Sequence, residues 1–332
     1  IILAEINTHR MLSKNTSSSR AIPFKKMVEA VQENPFIPIA WQKEHTGMQG
    51  YEYFTDKIDI QRAEHRWLIS RDNAISQSKV LADGIGVTKQ LCNRLLEPFM
   101  WTTMLITGSR EGWDNFFNLR CPQYKIHQGT YKSKKEALKY GLSNGELKNW
   151  SDLDWLQNNE GHAEIHIMDL AEKIYDAVNE STPEQLKAGE WHIPFEDKMN
   201  EHEIAQIQKS NHPPYYDQKV KISTAMSAHT SYTIVGNEPV KSVEKWIELH
   251  DKLIAYDPPH SSPMEHCARA MSDEEYRMFF KGEILHVGCE QELYDDGSYS
   301  EDVVIGAQGQ GWCNNLKGFI PYRYFIDNGI EL

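Results

Sequence analysis

The chain has 332 residues, 40% of them hydrophobic and 25% charged, which is enough for a real core in one large catalytic unit. Its net charge of −13 argues against broad binding of nucleic acid, which needs a basic face, but permits a small anionic ligand held by clustered arginines. The five scattered cysteines form no C-x-x-C pair, and neither a long apolar run nor a signal-peptide pattern is evident. We therefore expect a soluble cytoplasmic protein with free thiols and no membrane or nucleic-acid partner.

The sequence pattern of the first half of the chain predicts mainly helices. A short β-rich run, Ile1–Ile6, precedes a polar stretch, His9–Arg20, and a loop punctuated by Pro and Gly covers Asn34–Tyr53. Apolar residues three and four apart then predict helices over Ile60–Leu81 and Thr88–Leu105.

The sequence pattern of the second half predicts helices separated by an insertion and a linker, followed by short β-like runs. A stretch rich in Lys, Asn, Gly and Ser, Cys121–Asn159, is typical of an insertion, and a helix is predicted over His162–Val178. A Pro-containing linker, Ser181–Asp217, precedes a predicted helix over Pro239–Ala255. The tail, Glu283–Phe325, alternates short β-like runs with Gly-containing turns. These patterns together predict an α/β fold in which a β-sheet is flanked by a helical region.

The polar stretch near the N-terminus combines His9, Arg10 and Arg20 with a crowd of Ser and Thr hydroxyls. Arginine forks bind phosphate in a bidentate manner, and hydroxyls satisfy the remaining oxygens, so this composition suits an anion cradle. A solvated Ser-rich loop with stray basic residues explains the composition equally well.

The segment N-F-F-N-L-R ends a helical stretch. Asn115 and Asn118 share a helix face and can hydrogen-bond a heterocycle, while Arg120 can neutralise an anion. Ordinary capping at the end of a helix is the alternative. For the upstream Arg94, the alternative to ligand binding is a surface ion pair with Glu97.

The sequence His162-Ala163-Glu164-Ile165-His166 places two histidines four apart, the spacing of metal ligands on a helix. The order H-x-E-x-H differs from the H-E-x-x-H of zinc peptidases. We therefore favour a histidine that binds a ring, or one that is merely solvated, and predict no metal. A metal-dependent hydrolase built on His162 and His166 remains the remoter alternative.

A proline-rich turn, H-S-S-P-M-E-H, covers His260–His266. The neighbouring carboxylate of Glu265 can set the tautomer and raise the basicity of His266, which suits acid–base chemistry or a contact with a flavin edge. A capped helix start built from Ser262, Pro263 and Glu265 is the alternative, and the two are compatible.

Together these segments resemble the flavin-dependent thymidylate synthases. The family signature, R-H-R-x-x-S-x-N-x-x-S-x-R, is matched at all but its first specified position, by His9, Arg10, Ser13, Asn15, Ser18 and Arg20. The segment Asn115–Arg120 is similar to the family's N-F-x-N-L-R, and His162-Ala163 is similar to its His-Ala. Arg94 falls where the family places another nucleotide-binding arginine.

The order of the segments resembles a circular permutation of the common form, as in longer bacteriophage-type members. In the common form an A-R-V-S-[FY] strand and an H-x-[ST]-P-[FM]-E-H turn precede the signature, whereas Ala228–Tyr232 and His260–His266 lie near the C-terminus. We therefore expect one catalytic domain over 1–332. Its expected parts are the signature segment 1–20, a helical region 58–180 with an insertion at 121–159, a linker 181–217, and a permuted module 218–332.

The resemblance implies a homotetramer with FAD bound where subunits meet, NADPH as reductant, and transfer of a methylene from methylenetetrahydrofolate to dUMP, giving dTMP. It implies that flavin is contacted by His9, Arg10, Asn115, His162, Ser231 and His266. It assigns the nucleotide to Ser18, Arg20, Arg94 and Arg120, and among all these residues Ser18, Arg120 and His266 are the catalytic candidates.

Three departures from the family pattern lie beside the predicted nucleotide face. Thr8 replaces the first arginine, Thr16 stands where an acidic residue is frequent, and Glu5 stands where Gln is expected. A hydroxymethylase of dUMP, or of another pyrimidine deoxynucleotide, is therefore the first alternative. A nucleotide-binding protein without redox turnover is a further one.

Overall fold

A computed structural model describes residues 2–46, 50, 52–126, 129–140, 144–183, 185–211, 215–232, 242–281 and 315–330. The described part is mixed α/β: it is mainly helical and has small antiparallel sheets. No helix in these ranges is long and apolar enough to cross a membrane.

The first half of the chain is built around a two-stranded ribbon. Its elements are α1 (Ile2–Asn7), β1 (Leu12–Thr16), α2 (Phe24–Glu33), α3 (Lys57–Lys79), a π-helix (Val80–Ile85), α4 (Lys89–Cys92), a 3-10 helix (Asn93–Phe99), β2 (Met104–Gly108) and α5 (Arg110–Arg120). Strands β1 and β2 are antiparallel, with registers running from Leu12↔Gly108 to Thr16↔Met104.

Two predictions in this half are wrong. Ile1–Ile6 was expected to be a strand, but residues 2–7 form α1. Ile2 and Ile6 lie one helical turn apart, and both pack into the core against the helix Ile165–Glu180. The expected helix over Thr88–Leu105 divides into α4, the 3-10 helix and β2. Pro98 lies inside the 3-10 helix, where its missing N–H prevents a regular α-helical ladder.

The predicted insertion forms a small folded unit with its own core. It contains β3 (Tyr124–Ile126), β4 (Gly129–Tyr131), α6 (Lys134–Tyr140), α7 (Asn144–Leu147) and α8 (Asp152–Gln157). Its core includes Tyr124, Ile126, Ala137, Leu147 and Trp155. The unit packs on α9 (Ile165–Glu180), where Tyr124 Oη donates a hydrogen bond of 2.9 Å to Glu172 Oε2 and Lys134 N donates one of 2.6 Å to Oε1. Burial raises the pKa of the Glu172 carboxyl.

Replacing Tyr124 by phenylalanine should lower the free energy of unfolding by about 1 kcal/mol, because the buried Glu172 carboxylate loses a donor. Urea unfolding measures the change. The matched control, Tyr256→Phe, alters a tyrosine that is 57% exposed and should leave the free energy of unfolding unchanged. Equal effects of the two substitutions would contradict a stabilising role for the Tyr124–Glu172 bond.

The second half of the chain packs a helical layer on a three-stranded sheet. Its elements are β5 (Trp191–His192), a 3-10 helix (Glu196–Lys198), α10 (Glu201–Asn211), α11 (Tyr215–His229), a 3-10 helix (Thr230–Tyr232), α12 (Val243–Ala255), a 3-10 helix (Ser262–Glu265), β6 (Ala268–Ala270), α13 (Asp273–Lys281), β7 (Phe319–Pro321) and α14 (Tyr322–Asp327). The sheet order is β5-β6-β7 and all pairs are antiparallel.

Here too, some expectations need correction. The stretch 181–217 is not a plain linker, since it contributes β5, α10 and the start of α11, and Ile204 of α10 is fully buried in a cluster with Ile222 and Trp246. The segment Ala228–Tyr232 is not a strand but the end of α11 followed by a 3-10 helix. The predicted helix over Pro239–Ala255 is confirmed from Val243 onward. Residues 283–314 of the predicted β-like tail lie outside the described ranges.

Candidate active site

The β1–β2 ribbon carries the family-like signature and positions its polar residues. Beyond Thr16 the pairing continues, with Ser17 N donating to Thr103 O at 2.8 Å and Ser17 Oγ lying 2.8 Å from Thr102 Oγ1. The chain then turns, and Ser18 N donates to Ser231 O at 3.0 Å. This bond joins the signature to the distant A-H-T-S-Y segment.

The second distant segment, the H-S-S-P-M-E-H turn, meets the same ribbon. His266 Nδ1 lies 2.9 Å from Oγ1 of Thr107, a β2 residue that pairs with Ser13 of the signature. His266 is fully buried, and burial, together with the nearby His192, lowers its pKa to about 3. The ring is therefore neutral at pH 7. In this buried position it orients the ribbon through Thr107 rather than presenting an edge to the surface.

Glu265 does not set the tautomer of His266 as the sequence suggested. Its Oε1 lies 2.5 Å from Nη1 of Arg323, and its Oε2 accepts a hydrogen bond of 3.0 Å from Asn315. The carboxylate thus connects the turn to α14, and Thr107 is the residue that contacts His266.

A third contact links the signature to α5. Arg120 Nε donates a 2.9 Å hydrogen bond to His9 Nε2, and Arg120 Nη1 lies 3.2 Å from Glu5 Oε2. Because Nε2 accepts, the hydrogen of the neutral His9 ring is on Nδ1. Burial, then Arg120 and Lys14, lower the pKa of His9 to about 4. The site therefore pairs a neutral imidazole with a cation whose charge is partly balanced by Glu5.

The close approach of α5 to the signature depends on a glycine. A Cβ at Gly112 would lie 2.8 Å from the carbonyl oxygen of Met11, a distance that side chains do not tolerate. The absence of a side chain at this position lets the helix pack on the signature backbone and brings Arg120 within reach of His9. Asn115 is on the same helix, and its side chain is exposed.

The remaining nucleotide candidates surround the turn that follows the ribbon. Arg20 and Arg94 are both exposed, and Ser18 is half-buried. The alternative for Arg94, an ion pair with Glu97, is not formed, and Glu97 Oε1 instead accepts a 2.6 Å hydrogen bond from Ser19 Oγ. The segment that carries Arg94 therefore lies directly against the end of the signature.

The structure does not bring His162 to this ribbon. Its exposed side chain lines a separate cavity of about 430 Å³, together with Tyr53, Gln123, Asn159 and Met168. No residue of the signature lines that cavity.

The metal-ligand spacing of His162 and His166 is not realised on a helix. Glu164 is the N-cap of α9, so the helix begins after His162 and the two rings do not share a helix face. Both nitrogens of His166 have protein partners: Nδ1 lies 2.5 Å from Glu164 Oε1, and Nε2 accepts from Ile39 N at 3.1 Å. Within the described ranges no cluster of three or more His, Cys, Asp or Glu side chains suits a metal.

A flavin dinucleotide needs cations and donors for its diphosphate and polar groups beside its ring. The exposed side chains of Arg10 and Asn115 offer this chemistry, and Ser231 is half-buried beside Ser18. These residues fit the group. The rings of His9 and His266 are buried, and they contact Arg120 of α5 and Thr107 of β2, respectively.

Comparisons with protein-family models, curated proteins and solved structures found no match. The functional assignment therefore rests on the motifs of this chain and on the contacts among them. Sequence reasoning missed Thr107, which contacts His266, and Asn93, which contacts the carbonyl oxygen of Ser19 in the signature turn. A buried Thr or Asn carries no local signal, since its partner lies far away in the chain.

Proposed function

We propose that the protein is a flavin-dependent thymidylate synthase that methylates dUMP at C5 to give dTMP, with methylenetetrahydrofolate as carbon donor and NADPH as reductant. One observation carries the proposal. Segments that match separate family motifs meet at the ribbon and at the turns and helix that flank it, through the pairs Ser18–Ser231, Thr107–His266 and His9–Arg120. A chance Ser-rich loop gives no reason for these distant segments to meet.

The arginines bind and polarise the substrate in this proposal. Arg20 and Arg94, both exposed beside the signature turn, hold the nucleotide phosphate through charge-assisted hydrogen bonds. Arg120, fixed by His9 and Glu5, stabilises negative charge on the pyrimidine ring as C5 becomes nucleophilic. Ser18 donates a hydrogen bond to the substrate at the start of the turn.

FAD supplies, when bound, the redox step that no side chain performs. The exposed residues Arg10 and Asn115 would hold it, together with the half-buried Ser231. The cavity with His162 lies apart within the subunit. The family resemblance implies a homotetramer with flavin bound between subunits, in which His162 would contact the flavin from a neighbouring subunit.

The purified full-length protein should be yellow, with the visible absorbance of a bound flavin, and it should oxidise NADPH. Formation of dTMP should then require dUMP and methylenetetrahydrofolate together. A colourless protein that gains no flavin absorbance on mixing with FAD would refute the proposal.

One observation favours a second candidate, a flavin-dependent hydroxymethylase of dUMP or of another pyrimidine deoxynucleotide. Thr8, which replaces the first arginine of the signature, uses its hydroxyl to donate a 2.7 Å hydrogen bond to Glu5 O. This position therefore caps α1 and adds no positive charge to the nucleotide face. Mass analysis of the nucleotide product distinguishes the two, since the hydroxymethyl product retains an oxygen on the new carbon.

A further inference from the structure

The turn that carries Ser18 and Arg20 contacts Ser231 through Ser18 N, and it is also held by residues 89–97. Within the turn, Ser18 O accepts from Ala21 N at 2.9 Å and from Ile22 N at 3.3 Å. The carbonyl oxygens of Ser19, Ala21 and Ile22 accept hydrogen bonds from donors outside the turn. α4 and the 3-10 helix that follows it provide them.

Asn93 is the main donor. Its Nδ2 donates to Ser19 O at 2.6 Å and to Ile22 O at 3.0 Å, and the side chain is fully buried. Because both partners are carbonyl oxygens, only the NH₂ end of the amide can face them, which fixes its orientation. One side chain thus bridges the two ends of the turn that contains Arg20.

Two further contacts come from the same segment. Lys89 Nζ donates to Ala21 O at 3.2 Å, and Glu97 accepts from Ser19 Oγ at 2.6 Å. Arg94 directly follows Asn93 in the chain. The peptide that carries one nucleotide-binding arginine is therefore attached, through Asn93, to the turn that carries the other.

We propose that Asn93 is a positioning residue that fixes the spacing between Arg20 and Arg94, so that both cations reach the same phosphate of the nucleotide. This inference rests on the proposed function and deepens it. Two exposed arginine side chains bind an anion more tightly when the backbone that carries them is fixed before the ligand arrives.

Two substitutions remove the donor. Asn93→Ala deletes the amide, and Asn93→Asp keeps its volume but leaves only acceptors facing two carbonyls. Each should weaken the binding of dUMP to the full-length protein by about tenfold, the equivalent of one to two net hydrogen bonds. Flavin absorbance should be unchanged, because Arg10 and Asn115 lie outside the turn. If Asn93→Asp fails to fold, Asn93→Ala, which buries no charge, provides the measurement.

A double-mutant cycle separates positioning from plain stabilisation. Asn93→Ala combined with Arg20→Ala should weaken dUMP binding by less than the sum of the single effects, since Asn93 has less to position once Arg20 is absent. The control, Tyr124→Phe, removes a buried hydrogen bond in the insertion and should lower stability without changing dUMP affinity. Titration calorimetry with dUMP measures every variant.

The results distinguish the positioning role of Asn93 from the proposed function. Unchanged dUMP affinity in the Asn93 variants, or strict additivity with Arg20→Ala, would overturn the positioning role while leaving the proposed function in place. Wild-type protein that binds flavin and yet has no affinity for dUMP would overturn the proposed function, and the positioning role with it.

Discussion

Arg20→Ala should weaken dUMP binding by roughly 1.5–3 kcal/mol, the range for a hydrogen bond to a charged group. This corresponds to roughly a 10- to 150-fold rise in the dissociation constant. The guanidinium of Arg20 is exposed beside Ser18 at the end of the signature, so its loss removes a phosphate contact without disturbing the core. Titration calorimetry of the purified variant gives the affinity directly.

A matched control tests whether the effect is local. Arg62 is also exposed, on α3, where it lies 3.4 Å from Asp59, and Arg62→Ala makes the same change in net charge. It should leave dUMP affinity within twofold of the wild type, because charges far apart on the surface are screened by salt. Equal losses from the two substitutions would place the phosphate elsewhere.

Acidification should destabilise the protein through its buried histidines, and His266 is one of the main contributors. Its pKa is about 3 in the folded protein and about 6.5 in an unfolded chain. The unfolded state therefore binds the proton first, and stability falls as pH drops below about 6.5. Linkage gives a loss of roughly 2 kcal/mol between pH 7.5 and pH 5 from this residue alone.

The substitution His266→Gln isolates this contribution. Glutamine can still hydrogen-bond Thr107 but does not titrate, so the pH dependence of the unfolding free energy should become shallower by about 2 kcal/mol over the same interval. A residual slope should remain, because the pKa of His9 is lowered to about 4 and that of His192 is also lowered by burial. Urea unfolding at both pH values gives the comparison, and parallel curves for variant and wild type would contradict the neutral, buried state of His266.

The features that sequence predicted well are local ones. α3 and α9 follow from apolar residues repeating every three or four positions. The secondary structure of short segments was harder to predict, since a run such as Ile1–Ile6 suits a strand or a helix equally. Packing against α9 stabilises the helix α1. Strand β1 lies in a polar run, and its strand conformation depends on pairing with Met104–Gly108 far along the chain.

In the candidate site, too, local features could be predicted from sequence and long-range contacts could not. The signature, the N-F-F-N-L-R segment and the H-S-S-P-M-E-H turn could be recognised from residue types and spacing. Their contacts could not be predicted, because Thr107 meets His266, and Asn93 and Glu97 meet Ser19, only through the tertiary fold. For His162 the residue spacing was misleading. Its separation of four residues from His166 suggested a shared helix face, but α9 begins only after the N-cap Glu164, so His162 lies outside the helix.

Mass analysis of the nucleotide product tests the central claim most directly. Wild-type protein would be incubated with dUMP, methylenetetrahydrofolate, FAD and NADPH, and the nucleotide then recovered. We expect dUMP to be converted to dTMP, with no conversion when FAD is omitted from flavin-free protein. Recovery of unchanged dUMP from flavin-loaded protein that oxidises NADPH would contradict alkylation of this nucleotide.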